Sequence, residues 1–280
     1  MPDRLVSVVI PVRNREEPLL RAVDSVRAQT YGEWEVVVVD DGSTDRTWEV
    51  LQDIIKTDPR VRGIRHEVSL GAQAARNTGI RASKGHWVAF LDSDDEFLPD
   101  SLSLRLHAAS EAHVEVVHSE AWQDDAGRSE LHLFQVPPYA GAIYGSVLRH
   151  PGPMYPALMV TRVALAQIGG LDEKLVSYQE WDTSIRLAKR NRFAFVPEPT
   201  FIYHCTGSDT ISKQVMGAVL GYEQVFRKHR LQILLHAGPR AVARHHEILI
   251  RLFREAGHPE RGKRYQPLVT LVALIRRALP

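Results

Sequence analysis

The chain of 280 residues has one cysteine, Cys205. That excludes an intrachain disulfide, and without a C-x-x-C pair there are no paired thiolates for a structural zinc, so a reducing cytoplasm suits the chain. It also has almost no net charge, since 35 Lys and Arg face 34 Asp and Glu to leave +1. No global field points to nucleic acid or to an acidic substrate, and charge effects must be local. No stretch approaches the ~20 consecutive apolar residues a bilayer span needs. The opening "MPDRLVSVVIPVRN" is apolar only from Leu5 to Val12, without the length or basic lead of a signal peptide. A cytoplasmic protein is expected, soluble or peripheral at the inner face of the membrane. Two nucleotide signatures are missing as well. No G-x-G-x-x-G follows a strand and no G-x-x-x-x-G-K-[ST] occurs, which argues against a dinucleotide dehydrogenase and a P-loop NTPase.

What is present is a rhythm. With 44% hydrophobic and 25% charged residues the chain can bury a sizeable core. Short apolar runs dense in Val, Ile, Trp or Phe lie at Val6 to Val12, Trp34 to Asp40, Val61 to His66 and Trp87 to Asp92. Between them, helical spacing runs from Glu17 to Gln29, Thr44 to Thr57 and Ala72 to Ala82. This alternation predicts an α/β fold, a mostly parallel sheet flanked by helices and buried on both faces. Further on, the spacing predicts a helix from Pro99-Asp100, a strand over Val114 to Trp122 and an irregular proline-rich stretch from Pro137 to Pro156. A helix from Glu180 to Asn191 and two short strands, Phe193 to Val196 and Thr200 to Tyr203, follow. From Val215 the chain reads as mostly helical. The expected organisation is a catalytic domain over 1–213, split into a nucleotide-binding half (1–113) and an acceptor-binding half (114–213), with a C-terminal helical extension over 214–280.

In open parallel sheets ligands bind beyond the carboxyl ends of the strands. Three such ends carry polar residues: Pro11 to Arg15, Asp40-Asp41-Gly42-Ser43 and Asp92 to Glu96. Alone, D-D-G-S is as readily a turn and helix cap. The D-x-D of Asp92-Ser93-Asp94 can offer carboxylate oxygens to a hard divalent cation, Mg²⁺ or Mn²⁺, that also grips phosphate. An EF-hand loop would want Gly where Phe97 stands and Glu where Ser103 stands. A phosphatase with an aspartyl nucleophile would want its acid after the first strand, where there is none. A solvated acidic turn capping the next helix remains the plain alternative.

The segments "VSVVIPVRNREEPLLRAVDSVRAQTYGEWEVVVVDDGSTDRT", "LGAQAARNTGIRASKGHWVAFLDSDD" and "IGGLDEKLVSYQEWDTSIRLAKR" occur in this order between Leu5 and Arg190. Together they resemble the family 2 glycosyltransferases of the GT-A fold, a Rossmann-like sheet that binds a nucleoside-diphosphate sugar. The resemblance implies that Pro11, Val12 and Arg13 line the nucleotide pocket and that Asp41 accepts from the imide N–H of uracil or thymine. It implies that Arg76 reaches the diphosphate, that Asp92 is the ribose-side or water-mediated acid, that Ser93 belongs to the donor-binding set, and that Asp94 ligates the metal. Asp95 would be a supporting or acceptor-side acid and Glu96 simply solvated. Aligning Trp181 and Arg186 of "QEWDTSIR" with the family puts Glu180 where the general base usually is an Asp. Asp182 would then be a structural partner for Arg186 one turn on. Arg13 departs from the family's frequent Tyr, so a cation over the base or on phosphate could replace stacking. His204 lies where some relatives complete the metal site, and a hydrogen-bonded loop histidine is an equal alternative.

The expected activity is transfer of one sugar from a UDP- or dTDP-sugar to a hydroxyl acceptor, inverting and assisted by Mg²⁺ or Mn²⁺. The acceptor could be a glycan, a lipid-linked glycan or a small molecule; no nucleic acid partner is expected. Two alternatives stay open, a non-catalytic sugar-nucleotide-binding homologue and a sugar-phosphate nucleotidyltransferase. The latter would need a Gly-rich basic loop in place of "PVRNRE". The tail "RGKRYQPLVTLVALIRRALP" is apolar from Leu268 to Leu279 except at Arg276-Arg277. It could dock on the catalytic domain, form a homodimer contact or lie on an anionic membrane, and docking is the expectation.

Overall fold

The computed structural model describes residues 5–125, 130–134, 136–205, 215–267 and 269. Its first seven elements are β1 (Val6–Val12), α1 (Glu16–Arg27), β2 (Trp34–Asp40), α2 (Thr47–Thr57), β3 (Val61–Arg65), α3 (Ala72–Ala82) and β4 (Trp87–Phe90). Every residue of β1, β2 and β4 is buried, as two-sided strands demand. The four strands run parallel in the order β3-β2-β1-β4, with Val8 opposite Val36 and Ala89. Helix α2 starts at Thr47 rather than Thr44. The Asp45 carboxylate accepts from the Thr47 N–H at 3.0 Å and hydroxyl at 2.6 Å, and so holds the preceding residues in a turn.

The chain continues with β5 (Glu96–Phe97), α4 (Ser101–Ala112), β6 (Val116–Asp124) and β7 (His132–Phe134). After these come α5 (Tyr144–Val147), β8 (Met159–Thr161), α6 (Arg162–Gln167), α7 (Gln179–Ala188) and β9 (Phe193–His204). Beyond β4 the sheet order is β8-β6-β9-β5, and β7 pairs with β6. Strand β8 is antiparallel to both its neighbours, so the sheet is mixed on this side. The two short strands expected near the end are one strand. It crosses Pro197 and Pro199 because the pairing with β6 shifts register there, between Ser119 and Trp122, where no ladder N–H is required. The proline-rich stretch is irregular apart from α5 and a 3₁₀ turn at Tyr155–Ala157. Helices α8 (Val215–Ala237), α9 (Pro239–Glu255) and α10 (Pro259–Gly262) follow, the last two with Pro in the first turn.

The chain divides into two compact units, and not at residue 213. The first holds all the strands and comprises residues up to 142 with 153–173 and 186–207. The second comprises 143–152, 174–185 and the C-terminal helices. Segment 174–185 joins the C-terminal helices because its side chains pack there. The Trp181 indole donates to the Val147 carbonyl at 2.7 Å and stacks on His245, with ring centroids 5.3 Å apart. Most of the tail, 268 and 270–280, lies outside the described residues. No helix among the described residues is long and apolar enough to cross a membrane.

Candidate active site

The first strand ends are stitched together before any ligand is considered. Asn14, at φ +52, donates its backbone N–H to Ser43 Oγ at 3.0 Å, and its side-chain Oδ1 accepts from the Thr44 N–H at 2.9 Å. The Asp41 N–H donates to the Val12 carbonyl at 2.8 Å. Pro11 and Val12 are therefore buried backbone at the lip of the sheet, and Arg13 projects into solvent.

Asp41 has more partners than its expected role requires. Its carboxylate accepts from the Leu70 and Gly71 N–H groups at 2.8 Å each, from Ser69 Oγ at 2.7 Å and from His66 Nδ1 at 2.8 Å. Burial alone would raise this carboxyl, yet these donors hold it below the usual carboxylate value. Four donors fill the lone-pair positions of a carboxylate. Asp41 thus anchors the exposed turn that opens α3, and a nucleobase N–H would have to displace one of these donors.

Helix α3 carries Arg76 toward the end of β4. It lies flat on β1 because Gly79 allows it; a Cβ there would sit 2.4 Å from Val9 Cγ1. Arg76 is 6% exposed, pairs with Asp92, donates to Gln73 Oε1 at 3.1 Å and stands 4.3 Å over the Tyr155 ring. Gln73 in turn donates to the Tyr155 hydroxyl at 2.7 Å. Asn77, next in the same motif, reads the main chain of Leu171 in both directions, at 2.8 and 2.9 Å, and donates to Glu173 at 2.7 Å. The "GG" of that segment adopts φ +73 and +76, and Arg186 donates to the Ile168 and Gly170 carbonyls at 2.7 and 2.6 Å. Motifs far apart in sequence are therefore one hydrogen-bonded unit.

At the end of β4, Asp92, Ser93, Asp94 and Asp95 leave the strand, and Glu96 opens β5. Ser93 and Asp95 are buried. Burial, and then the charge of Asp92, raise the Asp94 carboxyl, with Arg15 at 3.7 Å only partly offsetting them. Asp95 is pushed well above its ordinary value by burial first and then by Asp92 and Asp94. Arg21 reaches in from α1 to the Asp94 carbonyl at 2.8 Å and to Glu96 at 3.0 Å. Glu96 is therefore paired rather than merely solvated. Sequence spacing gave no signal for Arg15 or Arg21, because their partners lie some seventy residues away.

His204 is placed differently from a metal ligand. Its Nδ1 meets Asp124 and its Nε2 meets Glu96, both at 2.7 Å, and its N–H donates to Asp95 at 3.0 Å. With a carboxylate oxygen 2.7 Å from each ring nitrogen, neither nitrogen is open to a cation as the side chain stands. Among the described residues no three His, Cys, Asp or Glu side chains converge as a protein-only cation cage would need. The donor set still fits Mg²⁺ or Mn²⁺. Such ions commonly take one or two carboxylates and complete their shell with water and substrate phosphate oxygens.

Glu180 belongs to the second unit. It is the second residue of α7, half-buried, where the helix N-terminus favours a carboxylate. Just before the helix Tyr178 holds φ +54, a conformation unusual for an aromatic residue and fixed by edge-on packing against Trp181 and Tyr222. Burial and then the Glu180 charge raise the Tyr178 hydroxyl. Asp182, 0% exposed, accepts from Lys228 Nζ and His229 Nε2, each at 2.7 Å. Its expected structural role thus has partners on α8, forty-six residues or more along the chain.

The model of the family described as Glycosyl transferase family 2 matches residues 7–160, and the chain belongs to that family. The putative colanic acid biosynthesis glycosyl transferase WcaA of Escherichia coli K12 is 28% identical over 237 residues, which cover 81% of each chain. A glycosyltransferase of Rickettsia bellii is 32% identical over 189 residues, 68% of this chain and 27% of that one, so the present chain spans only part of that relative's length. A UDP-Glc:alpha-D-GlcNAc-diphosphoundecaprenol beta-1,3-glucosyltransferase of E. coli, WfgD, is 38% identical over 107 residues, 38% of this chain and 41% of that one. Among solved structures, Staphylococcus aureus TarS 1–349 in complex with UDP-GlcNAc superposes with a TM-score of 0.70 at 21% identity, covering 89% of this chain and 72% of that one. The fold is the GT-A fold.

Proposed function

We propose that the chain is a cation-dependent, inverting glycosyltransferase that moves one sugar from a UDP- or dTDP-sugar to a hydroxyl acceptor. The observation that carries this reading is the crowding of Asp92, Asp94 and Asp95 at the carboxyl end of β4, beside β1. Burial and mutual repulsion there raise Asp94 and Asp95 in a cluster that arginines only partly neutralise. Such a cluster is a standing demand for positive charge where sheet ligands bind. Asp94 would hold the ion, Asp92 and Ser93 would border the ribose, and Arg76 would exchange its Asp92 partner for diphosphate oxygens. Bound there, Mg²⁺ or Mn²⁺ supplies charge neutralisation for the departing nucleoside diphosphate.

Glu180 takes the proton from the acceptor hydroxyl as its oxygen forms a bond to the anomeric carbon. The bond from that carbon to the diphosphate oxygen breaks, and its electron pair leaves with the phosphate. Pro11, Val12, Arg13 and Asp41 form the nucleobase end of the pocket. The activity for which WfgD is named supports UDP-glucose as a donor to try first and a lipid-linked glycan as the acceptor class. The test is a thermal-shift panel of UDP-, dTDP- and GDP-sugars with and without Mn²⁺. Stabilisation by a UDP- or dTDP-sugar that grows with Mn²⁺ is expected; no stabilisation by any nucleotide, or indifference to metal, overturns the proposal.

A further inference from the structure

A cavity in the second unit takes no part in the proposed transfer. It lies among α8, α9 and the turn at Lys263–Tyr265, with a volume of about 440 Å³. That is within the ~300–1,000 Å³ range of small-molecule sites. Its wall is aliphatic and aromatic, with Phe226, Leu231 and Leu234, and its rim is basic, with Arg227, Arg230 and Arg264. Leu231, Leu234 and Leu235 are 59%, 45% and 68% exposed. At helical spacing i, i+3 and i+4 they form one apolar stripe on α8 that runs on from the cavity.

The charge of the cavity is one-sided. Glu223, the one acid in its lining among the described residues, is buried and already bonded by Arg264 and by the Tyr265 hydroxyl, with Arg227 at 3.9 Å. Three guanidiniums therefore face one carboxylate, and Arg230 has no ion-pair partner among the described residues. A second copy of the chain is a poor occupant, because a two-fold contact would set these arginines against themselves. An aliphatic wall with guanidiniums at its mouth matches a molecule with an apolar chain and a phosphate head.

We propose that this cavity binds an anionic phospholipid of a bilayer, its phosphate at Arg227, Arg230 and Arg264 and its acyl chain along Phe226, Leu231 and Leu234. The site is independent of the donor pocket and of Glu180. The full-length protein is floated with vesicles of phosphatidylcholine alone and of phosphatidylcholine with phosphatidylglycerol. Three cationic side chains should favour the anionic vesicles by about a hundredfold, less at high salt. Arg227→Gln with Arg230→Gln should lower that binding by about tenfold or more. Leu231→Ser with Leu234→Ser should lower it while the preference for anionic vesicles stays. All four positions are at least partly exposed, and unchanged melting curves show the variants folded. Equal binding to both vesicles overturns the proposal, as does anionic binding that these variants leave intact. So does loss of binding only when Leu271, Leu274 and Ile275 are changed to Ser, which would assign it to the tail. Competition by inorganic phosphate as strong as by the vesicles would make the site one for free anions and also overturn it.

Discussion

Asp94 and Asp182 are acids of the same kind held in opposite ways. In the strand-bearing unit, Asp94 is pressed against other carboxylates, and the nearest guanidinium, at 3.7 Å, only partly offsets them. In the helical unit, Asp182 is fully buried, and an ammonium and an imidazole bond it at 2.7 Å. A buried carboxylate with its partners in place is framework, whereas one left short of positive charge is a place for a ligand. Asp182 sits two residues from Glu180, so its bonds to α8 fix the first turn of the helix that presents the proposed base.

This contrast can be broken in four ways. The largest effect is expected at Glu180, where Glu180→Gln should lower kcat by roughly 10²–10⁴-fold with little change in donor KM, as read by steady-state kinetics. Unchanged turnover would remove Glu180 as the base. Next, Asp182→Ala should cost about 3–5 kcal/mol in urea unfolding, because Lys228 and His229 lose the acid that pairs them. Asp94→Asn should show the reverse, abolishing the Mn²⁺-dependent donor shift without lowering stability in the absence of metal; a destabilised Asp94→Asn would put Asp94 in the framework class.

The third effect is acid sensitivity in both units. Burial pushes His118 down to about 4, partly offset by its bond to the Tyr139 carbonyl, and pushes His245 down to about 4, partly offset by its bond to the Leu148 carbonyl. The unfolded chain titrates these imidazoles near 6.5 and so binds more protons between the two values. Their contribution is full above about pH 6.5 and is lost as pH falls toward 4, by on the order of 3 kcal/mol for each. Unfolding free energies at pH 7 and 5 should show the slope, and His118→Phe should flatten it; an unchanged slope would contradict it. The smallest effect is at Gly79, where Gly79→Ala should cost about 1–3 kcal/mol by forcing α3 off Val9.

Much of the first unit was legible in advance. Strands β1 and β2 match the expected ranges residue for residue, since two-sided burial leaves an uninterrupted apolar run. Arg76 and Asp92 were singled out separately and prove to touch. The helical unit was less legible. The expected catalytic domain over 1–213 takes in segment 174–185, which packs with α8 and α9. Strand β8 was not anticipated, for it is three residues long and owes its existence to the edges of β4 and β6. His204, a candidate for the metal site on sequence, has its two carboxylate partners on β5 and β6, far from it along the chain.

The family, the strand-helix alternation and the position of the acids at a strand's carboxyl end can all be read from the residues in order. Each of these is a local pattern of burial or a contiguous motif. Tertiary structure alone decided which acids are satisfied and which are not. Charge compensation depends on groups brought together from distant parts of the chain, such as Arg21 with Glu96 and Lys228 with Asp182, and no local spacing encodes their meeting.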